Sequence, residues 1–482
     1  MKLARDTLYN FVGLASPLLV ALYTIPRLVH GLGDARFGLL TLIWAVVSYF
    51  GLFDLGLGRA LTQQLALLLE RDARAEVGPM VTTASALMAI LGCLASVLMV
   101  ACASWAVHEI KQVDDPAEAI AAIRWMAMAM PFIVMTSGFR GILEAQHAFG
   151  VVNLIRIPMG IFTFVGPLLV LWCAGPRLDI IAAVLSLGRV VACLVHAVYA
   201  IQSLPLECRA WRLEGALLRP LCVSGGWMTV SNIVSPFMGY VDRFVVGATL
   251  SAAAVAFYAT PHELVTKLWI IPGALTAVLF PTFAARARTD PVATRKLFGD
   301  AVRWLFLILL PITVTIALFA HEILAVWIGA EFANRSALLL QIFAVGMLVN
   351  CLAHVPFTLI QGVGAAHLTA WVHAFELPFF LLALWLLTPR FGLAGAATAW
   401  FLRMTVDTVL MYVMCYRAMG WRGVRLGAGP VAIGLLTLAG FSGLAFASLM
   451  VRMVWVAALT GFVVLACVRA LRLPNSIRVA RP

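Results

Sequence analysis

The feature that most limits this chain is a train of apolar stretches, each about 20 residues long, that runs from one end to the other. A helix needs roughly that length to cross about 30 Å of hydrocarbon. In lipid the backbone has to satisfy its own hydrogen bonds, so helices are the economical solution. Nothing alternates with the two-residue period of a barrel strand. Of the 482 residues 63% are apolar and only 12% charged, more apolar surface than a soluble domain could hide around one core. The expected fold class is an all-α polytopic membrane protein.

Spans are expected near 8–30, 37–58, 80–105, 119–139, 151–174, 180–203, 221–248, 251–282, 304–322, 336–360, 368–388, 393–416, 429–448 and 453–470, about fourteen in all. The net charge of +12 raises the question of a nucleic-acid partner, and its distribution argues against one. One set of segments between spans holds 21 of the 34 basic residues, among them Arg71, Arg74, Arg212, Arg295, Lys296, Arg417 and Arg472. The alternate set holds Arg36, Lys111, Arg177, Arg335, Arg390 and Arg452 only. The asymmetry places the first set, and both termini, in the cytoplasm. The basic start followed by an apolar run suggests a signal peptide, but no small-residue cleavage pattern follows it and Pro17, Pro26 and Arg27 interrupt it. It reads as an uncleaved first span. The nine cysteines lack CxxC or CxxH spacing and read as small apolar residues. No P-loop and no long soluble segment accompany them, so no metal or cofactor is expected.

The chain also repeats itself weakly at an offset near 220. Pro17 pairs with Pro236 and Phe37 with Phe257; His108-Glu109-Ile110 pairs with His321-Glu322-Ile323. His147 and Pro158 match His367 and Pro378, and Pro176-Arg177 before Arg189 matches Pro389-Arg390 before Arg403. A six-helix unit enters the membrane twice in the same orientation, which makes a parallel repeat about an axis along the membrane normal. The expected organisation is an N-terminal lobe over 1–220, a C-terminal lobe over 221–428, and two appended helices with a tail over 429–482. Transporters built this way bind cargo between the halves and expose it alternately.

Several ordered motifs carry a family resemblance. The opening runs from Asn10-Phe-Val-Gly13 through Pro17 and Pro26 to Gly31-Leu-Gly33-Asp-Ala-Arg-Phe37-Gly38 and Asp54-Leu-Gly56-Leu-Gly58. A second block reads Asp242-Arg243-Phe-Val-Val-Gly247, Ala256-Phe-Tyr258, Pro272 and Phe280-Pro281. A third comprises Trp327-Ile-Gly329, Gln361-Gly362-Val-Gly364, Phe391-Gly392-Leu-Ala-Gly395, Arg403 and Asp407. Across nearly its whole length the chain resembles the polysaccharide-transport branch of the multidrug/oligosaccharidyl-lipid/polysaccharide exporter superfamily, which includes O-antigen repeat-unit flippases. The resemblance implies two six-helix lobes around a central cavity and cargo carried on undecaprenyl diphosphate.

Ionisable residues inside spans cost roughly 2.5–3.5 kcal/mol each at a helix centre, so each asks for a reason. The basic ones are Arg27, Arg124, Arg156, Arg189, Arg243, Lys267 and Arg403; the acidic ones are Asp54, Asp242, Glu263, Glu376 and Asp407. Arg27, Arg124, Arg243, Arg156 and Asp54 lie near span ends, where snorkelling to the interface is the alternative to a functional role. Glu263 with Lys267, and Arg403 with Asp407, stand four residues apart and can neutralise one another on a helix face. Arg189 has no acidic partner within a turn and nearly matches Arg403 in the repeat. Two guanidinium groups of this kind suit a diphosphate, which they bind bidentately. Candidate cavity residues are therefore Arg189, Arg403, Lys267, Arg27 and Arg243. Arg156 and Glu376, of opposite charge at matched positions, suggest an ion pair that gates. Asp54, Asp242, Glu263, Glu376 and Asp407 are candidate carriers of a coupling proton or sodium ion. Trp227, Tyr240 and Tyr258 offer rings that either stack on sugar or pack between helices.

The expectation is a non-enzymatic flippase moving a polyprenyl-diphosphate oligosaccharide from the cytoplasmic to the periplasmic leaflet of a bacterial inner membrane, with polysaccharide polymerase machinery as a partner. The alternative is a multidrug/cation antiporter of the same superfamily. A membrane enzyme is disfavoured because the outer segments are short. Their one polar cluster, His108, Glu109, Asp114, Asp115 and Glu118, reads as a solvated acidic loop.

Overall fold

The computed structural model describes residues 2–50, 57–146, 148–205, 208, 212–217, 237–287, 289–421 and 449–472. Asp54, His147, Trp227, Pro236 and the span expected over 429–448 lie outside the described residues. The described chain is helical nearly throughout and holds no strand. Its helices are α1 (Lys2–Leu32), α2 (Asp34–Phe50), α3 (Leu57–Glu70), α4 (Arg74–Glu109), α5 (Pro116–Ala145), α6 (Phe149–Ala174) and α7 (Leu178–Ser203). They continue with α8 over 237–249, α9 (Ala252–Thr266), α10 (Ile270–Arg286), α11 (Pro291–Leu318) and α12 (Ala320–Trp327). The described chain ends with α13 (Ala330–Gly362), α14 (Ala366–Ala418) and α15 (Leu449–Arg472). Among the described residues, eight helical segments are long and apolar enough to cross a membrane. The protein is an all-α, multi-pass membrane protein.

Local chemistry sets the helix ends. α5 and α11 begin with the same device: Asp115 and Asp290 accept hydrogen bonds from the amides of Glu118 and Ala293, both at 3.0 Å, and a proline follows each. Such a cap stabilises a helix start by about 1 kcal/mol, and the missing proline N–H removes a donor that would otherwise go unmet. The apolar stretch 251–282 becomes α9 and α10, joined by a single 3-10 turn at Lys267–Trp269. The stretches 368–388 and 393–416 form the two halves of α14, which break at Gly392 with φ 59° and ψ −140°. That left-handed conformation suits a residue without a Cβ.

The chain divides into two compact units, Met1–Ala259 and Thr260–Pro482. In the first, α5 packs on α4 and α7, and α1 on α6. A Cβ on Gly92 would stand 2.5 Å from the Pro131 Cα, so the glycine is what lets α4 and α5 approach. Leu61, Leu65, Met80, Met88, Val134 and Leu143 fill the core at one end of these helices. On the far side of α4, Ile90, Leu94, Val97 and Leu98 are each more than half exposed, the arrangement expected of a lipid-facing surface.

In the second unit α13 packs on α10, α11, α12 and α14. The rings of His262, Phe343 and Trp400 meet edge to face with centroids 5.1–5.2 Å apart. Edge-to-face contact places the positive ring edge against a negative π face. All three rings are buried.

Candidate functional site

Helix α7 carries Arg189 near its middle. Its guanidinium is half-buried, and Nη2 donates to the Thr163 hydroxyl of α6 at 3.4 Å. Among the described residues no carboxylate stands against it. Helix packing explains the setting: Gly188 lies under the Phe162 ring, which no Cβ at that position would clear, so α6 and α7 close around the arginine. A guanidinium with one weak hydroxyl partner retains most of its five donors for an anion.

The polar residues of the second unit gather around Asp407. Asn350 Nδ2 donates to its Oδ2 at 3.3 Å, and Asn350 Oδ1 accepts from Trp269 Nε1 at 2.9 Å. His373 Nε2 stands 3.6 Å from Asp407 Oδ1, too far for a hydrogen bond. The Glu376 carboxyl lies beside both Asp407 and Arg403, and neither of its oxygens receives a donor. Glu376 and Asp407 are 3% and 7% exposed, which leaves two acidic groups facing each other away from water. Arg403 lies over the Phe380 ring at 5.2 Å. His354, one turn beyond Asn350 on α13, tilts against the Trp269 ring at 6.5 Å.

The other candidates fall elsewhere. Asp242 and Arg243 are buried in the first unit; Tyr258 Oη donates to Asp242 Oδ2 at 2.7 Å, and Arg243 lies 5.1 Å over the Tyr240 ring. Tyr240 and Tyr258 thus serve buried neighbours. Lys267 Nζ meets Glu263 Oε2 at 3.0 Å in a part-exposed pair at the 3-10 turn. Arg27 is exposed, folded 3.4 Å over the Tyr23 ring with Nη1 donating to Tyr23 O at 2.8 Å. Arg156 is also exposed, whereas Glu376 is buried. Sequence reasoning passed over Asn350, His354 and His373; the signal was present, since polar uncharged residues recur at helical spacing within otherwise apolar spans.

The acidic segment between α4 and α5 keeps its sequence reading at His108, Glu109, Asp114 and Asp115, which are exposed, and departs from it at Glu118. Glu118 is only 12% exposed and is a junction, with Oε2 accepting from Arg36 Nε at 2.9 Å and Oε1 from the Leu178 amide at 2.6 Å. It ties the starts of α2 and α7 to α5, and the hydrogen bond from Arg36 with its charge raises that arginine's pKa further. Nearby, Arg177 grips Asp179 through Nη2 at 2.6 Å and Nε at 3.2 Å, which holds the Asp179 carboxyl below the usual carboxylate range.

Residues 27–337 match the model of the family described as polysaccharide biosynthesis protein. A Shigella flexneri protein assigned as an O-antigen transporter is 30% identical over 413 residues, covering 85% of this chain and 97% of that protein. In fold, the chain is similar to an inward-facing multidrug transporter of the MATE family (TM-score 0.73, 15% identity, 85% of this chain and 98% of that one). It is equally similar to the lipid II flippase MurJ in an inward closed conformation (TM-score 0.73, 11% identity, 97% and 99%). The chain belongs to the family described as polysaccharide biosynthesis protein.

Proposed function

We propose that this protein is a flippase, not an enzyme, that carries a polyprenyl-diphosphate-linked oligosaccharide across the bacterial inner membrane for surface polysaccharide synthesis. The observation that carries this reading is the near full-length match to an assigned O-antigen transporter. Undecaprenyl diphosphate is the carrier that the family implies. The cargo enters from the cytoplasmic leaflet and leaves on the periplasmic side by alternating access of two six-helix lobes, 1–220 and 221–428. The fourteen apolar stretches support fourteen spans, and the charge asymmetry supports a cytoplasmic location for both termini. The polysaccharide polymerase that takes up the delivered units is the natural partner.

Arg189 is the leading residue for the diphosphate, because it alone of the basic candidates is half-buried with only a hydroxyl as described partner. Arg403 and Lys267 have carboxylate neighbours, and Arg27 and Arg243 lie over tyrosine rings. Those four contribute field more than direct grip. Glu376 and Asp407 are the leading carriers of a coupling proton or sodium ion, ahead of Asp242, Glu263 and Asp54. Burial of two carboxyl groups side by side supports that choice, since binding one cation relieves their repulsion. The same pair supports the second reading, a cation-coupled drug antiporter.

Mass spectrometry of lipid extracts from depleted cells separates the two. Accumulation of a polyprenyl-diphosphate oligosaccharide in the cytoplasmic leaflet is the expected result. Its absence, in cells shown to be making the glycan, overturns the flippase and favours the antiporter.

A further inference from the structure

The segment Ala252–Arg286 is long and apolar enough to cross a membrane, yet its helix is interrupted by the 3-10 turn at Lys267–Trp269. Fifteen residues of α9 precede the turn and 17 of α10 follow it, so it lies roughly 22 Å from the nearer end. Irregular backbone at such depth is tolerated where it is buried in protein or lines water. The Glu263–Lys267 pair decides between the two. Its side chains are 39% and 42% exposed, and charged groups left facing hydrocarbon at that depth carry a large cost. This face of the second unit therefore opens to water.

Trp269 stands on that turn and is 39% exposed. Two contacts hold its ring. Nε1 donates to Asn350 Oδ1 at 2.9 Å, and the His354 ring tilts against it at 48° with centroids 6.5 Å apart. Asn350 is fixed in turn by its bond to Asp407. The indole is thus anchored at its polar edge, and part of its apolar surface is left uncovered. One helical turn on, a Cβ at Gly273 would meet nothing within 4 Å, so open space lies on the same side of α10. A ring held in advance, beside an acid and a base that neutralise each other, suits a sugar. A pyranose has an apolar C–H face that packs on an aromatic ring, and hydroxyls that can donate to Glu263 and accept from Lys267. An acidic sugar fits poorly, because Lys267 is already matched by Glu263 and the indole face is itself negative.

We propose that Trp269 is a stacking platform for an uncharged pyranose of the cargo glycan, with Glu263 and Lys267 as its hydrogen-bonding rim. The proposal rests on the flippase reading above and adds to it the kind of sugar received. A first test needs no lipid-linked cargo. The full chain, in nanodiscs free of sugar-based detergent, is oxidised by hydroxyl radicals in the presence of methyl hexopyranosides or methyl N-acetylhexosaminides. Oxidation at each tryptophan is read by peptide mass spectrometry. That of Trp269 is expected to fall relative to Trp105, which is 67% exposed near the end of α4 and corrects for scavenging by the sugar. Methyl glucuronide should leave the ratio unchanged. A ratio that no uncharged glycoside moves overturns the platform, and equal protection by the glucuronide overturns the preference for uncharged rings.

A second arm measures affinity for two lipids, the lipid-linked glycan purified from depleted cells and undecaprenyl diphosphate without sugar. Trp269→Ala is expected to weaken binding of the glycan by about tenfold and to leave binding of the sugarless lipid as it was. Trp269→Phe, which keeps a ring and loses only the bond to Asn350, should retain most of the affinity. Equal weakening toward both lipids, or a loss as large in the phenylalanine variant as in the alanine one, makes Trp269 a packing residue and overturns the proposal. If uncharged glycosides protect Trp269 while depletion causes no lipid-linked glycan to accumulate, the sugar site stands and the flippase reading falls.

Discussion

Glu376 and Asp407 bring two carboxyl groups together from the two halves of α14, on either side of the break at Gly392. Asp407 has Asn350 as a donor, and Glu376 has none among the described residues. A bound proton or cation would serve both. Glu376→Gln supplies a permanent donor in its place and removes the like charge. The variant is expected to fold with unchanged or higher stability, by about 1 kcal/mol, since an amide can bond Asp407 where a carboxylate cannot. Its transport in proteoliposomes should no longer respond to an imposed proton or sodium gradient. A variant that retains the gradient response removes Glu376 from coupling.

Arg189 makes the opposite kind of prediction, because a half-buried cation without a carboxylate stabilises nothing by itself. Arg189→Ala is expected to leave the melting temperature in detergent unchanged or raised. Transport should fall by about tenfold, equivalent to ~1.4 kcal/mol of cargo interaction. Arg189→Lys should recover only part of it, since an ammonium offers a point charge where the guanidinium offers a planar fork. Loss of stability together with loss of transport in the alanine variant would instead identify Arg189 as a packing residue.

These residues show how far the sequence could be read. The apolar helices among the described residues were legible because hydropathy over the length of a span needs no knowledge of tertiary neighbours. The Glu263–Lys267 pair was legible for the same reason, since both partners lie one turn apart. Glu118 was not. Its partners, Arg36 and the Leu178 amide, lie 82 and 60 residues away, and only folding makes a junction of what reads as a solvated acid. Asn350 was hidden in a similar way: its bonds go to Trp269 and Asp407, 81 and 57 residues distant, and it carries no charge to single it out.

The Arg177–Asp179 pair gives a pH dependence with a definite sign. Arg177 lowers the Asp179 carboxyl, first through the side-chain hydrogen bond, against a smaller opposing effect of burial. The folded value lies below the unfolded one, ordinarily about 3.9. The contribution is thus fully present above the unfolded value and is lost as pH falls through the folded one. Asp179→Asn should melt at a lower temperature than the native protein at pH 7, and the gap should close below about pH 4. A gap that stays constant down to pH 3 would show that the pair contributes through shape and not charge.

Arg452 fixes the last described helix. From the first turn of α15 its Nη1 donates to Leu318 O at 2.8 Å and its Nη2 to Glu322 Oε1 at 2.5 Å, with the guanidinium 5.6 Å over the Phe319 ring. These contacts lie where α11 stops and α12 starts, so the arginine closes a carbonyl that the helix end leaves open. The Arg452 side chain is 16% exposed and that of Glu322 34%, so water can replace only part of what is lost. Arg452→Ala should cost about 1.5–3 kcal/mol, the range for hydrogen bonds to charged groups. Arg452→Met with Glu322→Leu removes both charges and keeps apolar bulk over Phe319, and should recover most of the loss, because the penalty of the single variant is the stranded carboxylate. Thermal unfolding of the two variants side by side decides it: equal losses would mean that the Leu318 carbonyl, and not Glu322, is the partner that matters.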